Sequence, residues 1–204
     1  TKPLLVIKGY KVPLTAEEEA ARKTEIDKQT HYTSIFAKAV EQLGANREHK
    51  SLQQNGEAPP LQVSVSGPAI EIRVGALYAL ERLANESEKD HISILETICA
   101  YVRQNSGLDD INARIPESPC PESFYEAEKW RDALPNLRID IQAALNILGR
   151  REEKWLSLEE KTGFRIDLNR TKFRGAVMKK LNFSNANFME ADLSGAILAE
   201  SDFS

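Results

Sequence analysis

Few residues in this chain have the types that make or break bonds, and their spacing argues against joint chemistry. His91 and Cys99 could form a thiol–imidazole pair, but both fall on one predicted helix, eight residues apart. That separation is about 12 Å along a helix axis, beyond hydrogen-bond reach. Cys99 therefore reads as a core thiol. Nothing pairs Cys120 with a histidine, and it stands between prolines in Ser118-Pro119-Cys120-Pro121. Asp90 and His91 read as caps and braces of a helix start. His31 and His49 lack metal-ligand spacing. Gly67 and Gly75 lack the pattern of a phosphate loop. Arg73 is expected to make an interhelical ion pair. Glu152, Glu153, Glu159 and Glu160 read as a solvated helix face. No catalytic, cofactor-binding or metal-binding residue is assigned, and no cofactor is expected.

The elements that carry these residues are bounded by composition. The chain has 204 residues, enough for one large or two small domains, with 41% hydrophobic residues. A formal net charge of −4 favours neither nucleic acid nor an acidic membrane surface. Two cysteines make no disulfide framework and suit a reducing compartment. No stretch approaches the ~20 apolar residues of a membrane helix, and no signal peptide is present. Thr1 opens the chain and its last pentapeptide stops one residue short, so both ends look cut.

Residues 1–14, with Pro3, Gly9 and Pro13, read as an extended leader. An α-helical domain is expected over 15–150. Thr15-x-x-Glu18 is a capping box, and the helix it opens turns apolar at Ile35, Phe36, Ala39, Val40 and Leu43 before Gly44. Residues 45–67 read as an irregular insertion: a loop with a short strand, or an irregular hairpin, around Asn55-Gly56 and the alternating run Leu61 to Ser66. A disordered insertion is the competing reading. Two helices come next, Ile70 to Ala84 and His91 to Arg103, the second capped by Ser87-x-x-Asp90. Ser123-x-x-Glu126 caps another that stops before Pro135. Leu137, Ile141, Ala144, Leu145 and Leu148 form a further stripe closed by Gly149. A short capping helix is expected over 151–163, opened by Ser157-x-x-Glu160 and laid over the lower end of residues 164–204.

From Ile166 the period changes. Read in fives, the tail is IDLNR, TKFRG, AVMKK, LNFSN, ANFME, ADLSG, AILAE, SDFS. The central residues are Leu168, Phe173, Met178, Phe183, Phe188, Leu193, Leu198 and Phe203, all large and apolar. The residues two places earlier are mostly small. A period of five fits neither helix nor strand and marks a repeat architecture. At a twenty-residue stagger Phe188 falls over Leu168, Leu193 over Phe173, Leu198 over Met178 and Phe203 over Phe183. These eight residues are the expected structural core of residues 164–204.

The tail resembles the pentapeptide-repeat family with its A-(D/N)-L-x-x pattern. The resemblance implies a short, right-handed quadrilateral β-helix, one pentapeptide per side and about two coils here, giving an α+β chain. Glu71 to Leu80 resembles the first half of a HEAT-type repeat. Phe36 to Gly44, Ile72 to Leu83, Asp90-His91, Cys99 to Arg103 and Asp140 to Arg151 resemble a bacterial group of pentapeptide-repeat proteins with a helical region ahead of the repeats. Members usually carry membrane spans upstream, which implies a cytoplasmic-side, membrane-anchored protein; this chain has no such span. The expected function is a non-catalytic protein-interaction or scaffold module with an unknown protein partner, or a homodimer through the C-terminal end of the repeat. The alternative is a DNA-mimicking regulator of a DNA-binding enzyme such as a topoisomerase. Against mimicry, duplex DNA carries one charge per about 1.7 Å, whereas two coils rise only about 10 Å. The acids Asp167, Glu190, Asp192, Glu200 and Asp202 are also balanced by Arg170, Lys172, Arg174, Lys179 and Lys180. No contact with nucleic acid is expected.

Overall fold

The computed structural model describes residues 4–7, 10–13, 15–53, 61–106, 124–134 and 136–204. Six helices precede the repeat among them, so the chain is α+β. Leu4–Ile7 (β1) and Tyr10–Pro13 (β2) pair antiparallel, so the expected extended leader is a hairpin. Four-residue strands are too short for alternation to reveal them.

Thr15 and Glu18 form the expected reciprocal box at the start of Ala16–Leu43 (α1). Its first half is solvent-exposed, and its second half buries Tyr32, Ala39 and Leu43. Within 45–67, where a loop with a short strand or an irregular hairpin is expected, the described residues form two paired strands. Asn46–Gln53 (β3) pairs residue for residue with Leu61–Pro68 (β4), from Asn46↔Pro68 to Gln53↔Leu61. The charges of β3 hide its strand character, because Arg-Glu-His-Lys gives no apolar alternation.

Ile70–Glu86 (α2) is the central helix, packing against α1, His91–Asn105 (α3) and Ile139–Gly149 (α5). Its inward face is Ala76, Leu77, Leu80, Leu83 and Ala84. Asp90 does not cap α3 with its side chain; it accepts the Ser87 hydroxyl at 2.5 Å. The Ser123-x-x-Glu126 box of Phe124–Asp132 (α4) lies partly outside the described residues, as do Cys120 and Asn55-Gly56. The last helix, Glu153–Thr162 (α6), starts four residues before the expected Ser157 cap. Ser157 instead donates to the Glu153 carbonyl inside the helix. Gly163, at φ +70°, ends it.

Beyond Gly163 the backbone turns every fifth residue. Arg170, Gly175, Lys180, Asn185, Glu190, Gly195 and Glu200 all have φ between +53° and +70°. At most of these corners an amide donates back three residues, as Ala176 does to the Phe173 carbonyl at 3.0 Å. Residues twenty apart pair in parallel: Asp167 with Asn187, Lys172 with Asp192, Val177 with Ile197, Asn182 with Asp202. Each bridge is closed by hydrogen bonds such as Leu168 N–H to Asn187 O and Asn187 N–H to Ile166 O, both 2.8 Å. One continuous core joins the helices to the repeat, running from Leu77, Ile98 and Leu145 into Leu168, Phe173 and Met178.

Candidate functional site

The structure separates the residues that could do chemistry. His91 is 1% exposed. Its Nδ1 lies 3.0 Å from the Ala84 carbonyl and its Nε2 3.2 Å from Glu159 Oε1. Its ring stacks on Trp155 with centroids 4.3 Å apart. Arg151 bonds both oxygens of Glu159, at 2.8 and 3.1 Å. Glu159 is therefore a buried acid, not part of the expected solvated face, while Glu152, Glu153 and Glu160 are exposed. An arginine eight residues before it pairs with the acid and a histidine on another helix contacts it, an arrangement that helical periodicity cannot forecast. The cluster ties α6 to α3. Trp155 Nε1 is the one buried side-chain polar atom among the described residues without a partner.

Cys99 is 2% exposed, and burial pushes its thiol up to about 11. It lines a cleft of ≈ 610 Å³ with Glu96, Arg103, Phe164 and Asp167. Arg103 there pairs with Asp167 at 3.1 Å. A thiol held neutral beside a closed ion pair offers no activated nucleophile. His31 and His49 are exposed, and no acid, histidine or cysteine group among the described residues could hold a metal.

Among the described residues, Arg73 makes no interhelical ion pair. Its guanidinium donates to the Ala45 carbonyl, Asn46 Oδ1 and Asn105 Oδ1, each at 2.9 Å. It thereby joins the root of β3 to α3. The buried acid nearby, Asp140, is taken by Arg138 at 2.6 Å and by the Tyr101 hydroxyl. Burial and that carboxylate push the Tyr101 phenol up to about 12.

The most organised surface is the repeat. Asp167, Lys172, Val177 and Asn182, which lie five apart along its first twenty residues, are each met by the helical region. Arg103 donates to the Asp167 carbonyl at 2.6 Å, and Lys172 N–H donates to the Ser106 carbonyl at 2.7 Å. The Gln142 amide both accepts from Val177 N–H (2.9 Å) and donates to Val177 O (2.7 Å). Asn182 N–H donates to the Gly149 carbonyl at 2.6 Å. These edge groups are thus met by α3, α5 and the residue after α3, and Arg151, in the segment expected to cap at 151–163, donates to the Asn182 carbonyl at 3.5 Å. Sequence reasoning missed these contacts because a capping Gln on a helix resembles any other surface Gln.

Inside the repeat, Leu168, Phe173, Met178 and Phe183 are at most 1% exposed. Phe188 and Leu193 are half-buried, and Leu198 and Phe203 are 37% exposed. Phe183 and Phe203 stack with centroids 5.6 Å apart, and Phe188 meets Phe183 edge-on at 5.5 Å. Outside, charges pair across the repeat at separations of eighteen to twenty residues: Arg170 with Glu190 at 2.9 Å, Lys180 with Glu200 at 3.5 Å, and Arg174 with Asp192. On one outer face, the end of α4 and Leu134 after it pack against Gly195 of the repeat. A Cβ on Gly195 would fall 2.5 Å from Leu134 Cδ1.

Residues 166–204 match the family model for pentapeptide repeats, in eight copies. Repeats of this kind are generally non-catalytic interaction modules. No curated protein and no solved structure matches the chain. No helix among the described residues is long and apolar enough to cross a membrane.

Proposed function

We propose that this chain is a non-catalytic scaffold whose second repeat coil binds another protein. The observation that carries this is the repeat of residues 166–204, whose corner at every fifth residue and pairing at twenty give ordered outer faces, with Met189 exposed on one of them. An ordered surface that exposes a large apolar side chain is one that association covers. The parallel pairing at twenty residues and the corner at every fifth support reading residues 164–204 as two coils of a right-handed, four-sided β-helix. Helices 15–150, with α2 at their centre, then form a HEAT-like body that closes the lower edge. In the full-length protein this body stands on the cytoplasmic side of a membrane anchor, a reading supported by the exposed, charged first half of α1. A second copy meeting the first through the same end is the self-contact this geometry allows.

The DNA-mimic alternative is weaker here. Glu190, Asp192 and Glu200 are each paired with a cation of the first coil, so they form no continuous negative stripe. The test is the native mass of the full-length protein in cell extract, compared with a Leu198→Ser/Phe203→Ser variant. A wild-type complex that the variant loses, with the fold retained by circular dichroism, supports the proposal. Identical masses equal to one chain would reject it.

A further inference from the structure

The β3–β4 hairpin offers a second interaction surface that the repeat does not explain. Eight-residue strands extend about 27 Å, and an isolated two-stranded hairpin is marginal in water. Its root is anchored, the only such hold among the described residues: Arg73 bonds Asn46, Arg47 pairs with Glu71 at 2.9 Å, and Ala69 N–H donates to the Ala45 carbonyl at 3.0 Å. Among the described residues, the outer edge of β4 has no backbone partner.

The two edges differ chemically. β3 carries Arg47, Glu48, His49 and Lys50, charges that guard a strand edge against pairing. β4 reads Gln62-Val63-Ser64-Val65-Ser66, without a charge. Gln62, Ser64, Val65 and Ser66 are exposed. The bond from Ala69 to Ala45 fixes which groups point outward. In an antiparallel pair, hydrogen bonding alternates with period two. Residues 63, 65 and 67 of β4 therefore bond β3, while Gln62, Ser64 and Ser66 aim their amides and carbonyls at the free edge.

We infer that β4 pairs antiparallel with β4 of a second copy of this chain, about a two-fold axis at Ser64. In this register Ser64 faces Ser64 of the second copy and Gln62 faces its Ser66, each pair exchanging both hydrogen bonds. Val63 then lies opposite Val65 of the second copy, on one face of a four-stranded sheet. Apolar meets apolar, hydroxyl meets hydroxyl or amide, and no like charges oppose. The pattern is self-complementary because its period is two and it is symmetric about Ser64. The interface is isologous and closes at two copies.

Sedimentation of the full chain across a concentration series tests this, with hydrogen exchange read on residues 62–66. The expected result is a reversible dimer in which the amides of Gln62, Ser64 and Ser66 gain protection as concentration rises. Ser64→Pro removes an outward amide and leaves every β3–β4 bond, and should weaken the dimer at least about tenfold. Ser66→Pro repeats the test at a second outward position. Phe203→Ser, at the repeat end, should leave this dimer unchanged. A wild-type chain that stays monomeric overturns the inference. So does a dimer that resists both proline variants, or one that only Phe203→Ser dissolves; the latter outcome would favour the contact through the repeat.

Discussion

Phe183 is 1% exposed between Phe188 and Phe203, so its ring supports both neighbours on the second coil. Phe183→Ala should cost about 3–5 kcal/mol in denaturant unfolding, the range for a buried Phe. Exposed Lys179→Ala should cost under ~0.5 kcal/mol. Equal small effects would contradict the register. Cys99 is set apart by burial rather than by a base. Its thiol, pushed up to about 11, stays protonated at neutral pH. Alkylation of native protein at pH 7.5, an ordinary assay pH of about 7–8, should be slow at Cys99 and become fast only on unfolding. Rapid native labelling would mark an activated thiol instead. At this scale the sequence is readable where a residue's role is set by its own position in a period, as for Phe183. It is unreadable where the role is set by a distant partner. Glu159 looks like its exposed neighbours until Arg151 and His91 close on it.

The capped lower edge is the feature through which α5 and the repeat depend on each other. Gly149 ends α5 against Leu181, and a Cβ there would lie 2.6 Å from Leu181 Cβ, while its carbonyl accepts from Asn182. Gly149→Ala should therefore destabilise by about 1–3 kcal/mol, the usual cost of overpacking. A neutral Gly149→Ala, by thermal or denaturant unfolding, would mean that α5 is not seated on the first coil. The elements themselves were legible in unequal measure. Capping at Thr15, the stripes of α2, α3 and α5, and the period of five all derive from residue spacing. The β3–β4 hairpin was obscured because charged residues occupy β3. The corners were only hinted at by Gly175, Asn185 and Gly195, since Arg170, Lys180, Glu190 and Glu200 take positive φ without the residue types that normally signal it.

A single core through helices and repeat makes the described molecule one cooperative body, and its acid limit should reflect the ladder between coils. Burial acts to raise Asp192, but the Ser194 amide and hydroxyl and the Arg174 guanidinium outweigh it and hold the carboxyl below its ordinary 3.8. Its contribution is therefore present above the unfolded value and lost as pH falls through the folded one. Asp192→Asn should flatten the fall in melting temperature below about pH 4 and leave its slope near neutrality unchanged. A parallel pair of curves would mean that the ion pair with Arg174 adds nothing. The central claim, that the second coil is a binding surface, is tested most directly by placing a photo-crosslinking side chain at Leu198 in the full-length protein and irradiating intact cells. The account expects a discrete adduct of higher mass, absent when the same group stands at buried Met178. Irradiated chain that remains entirely unlinked at Leu198 would contradict it.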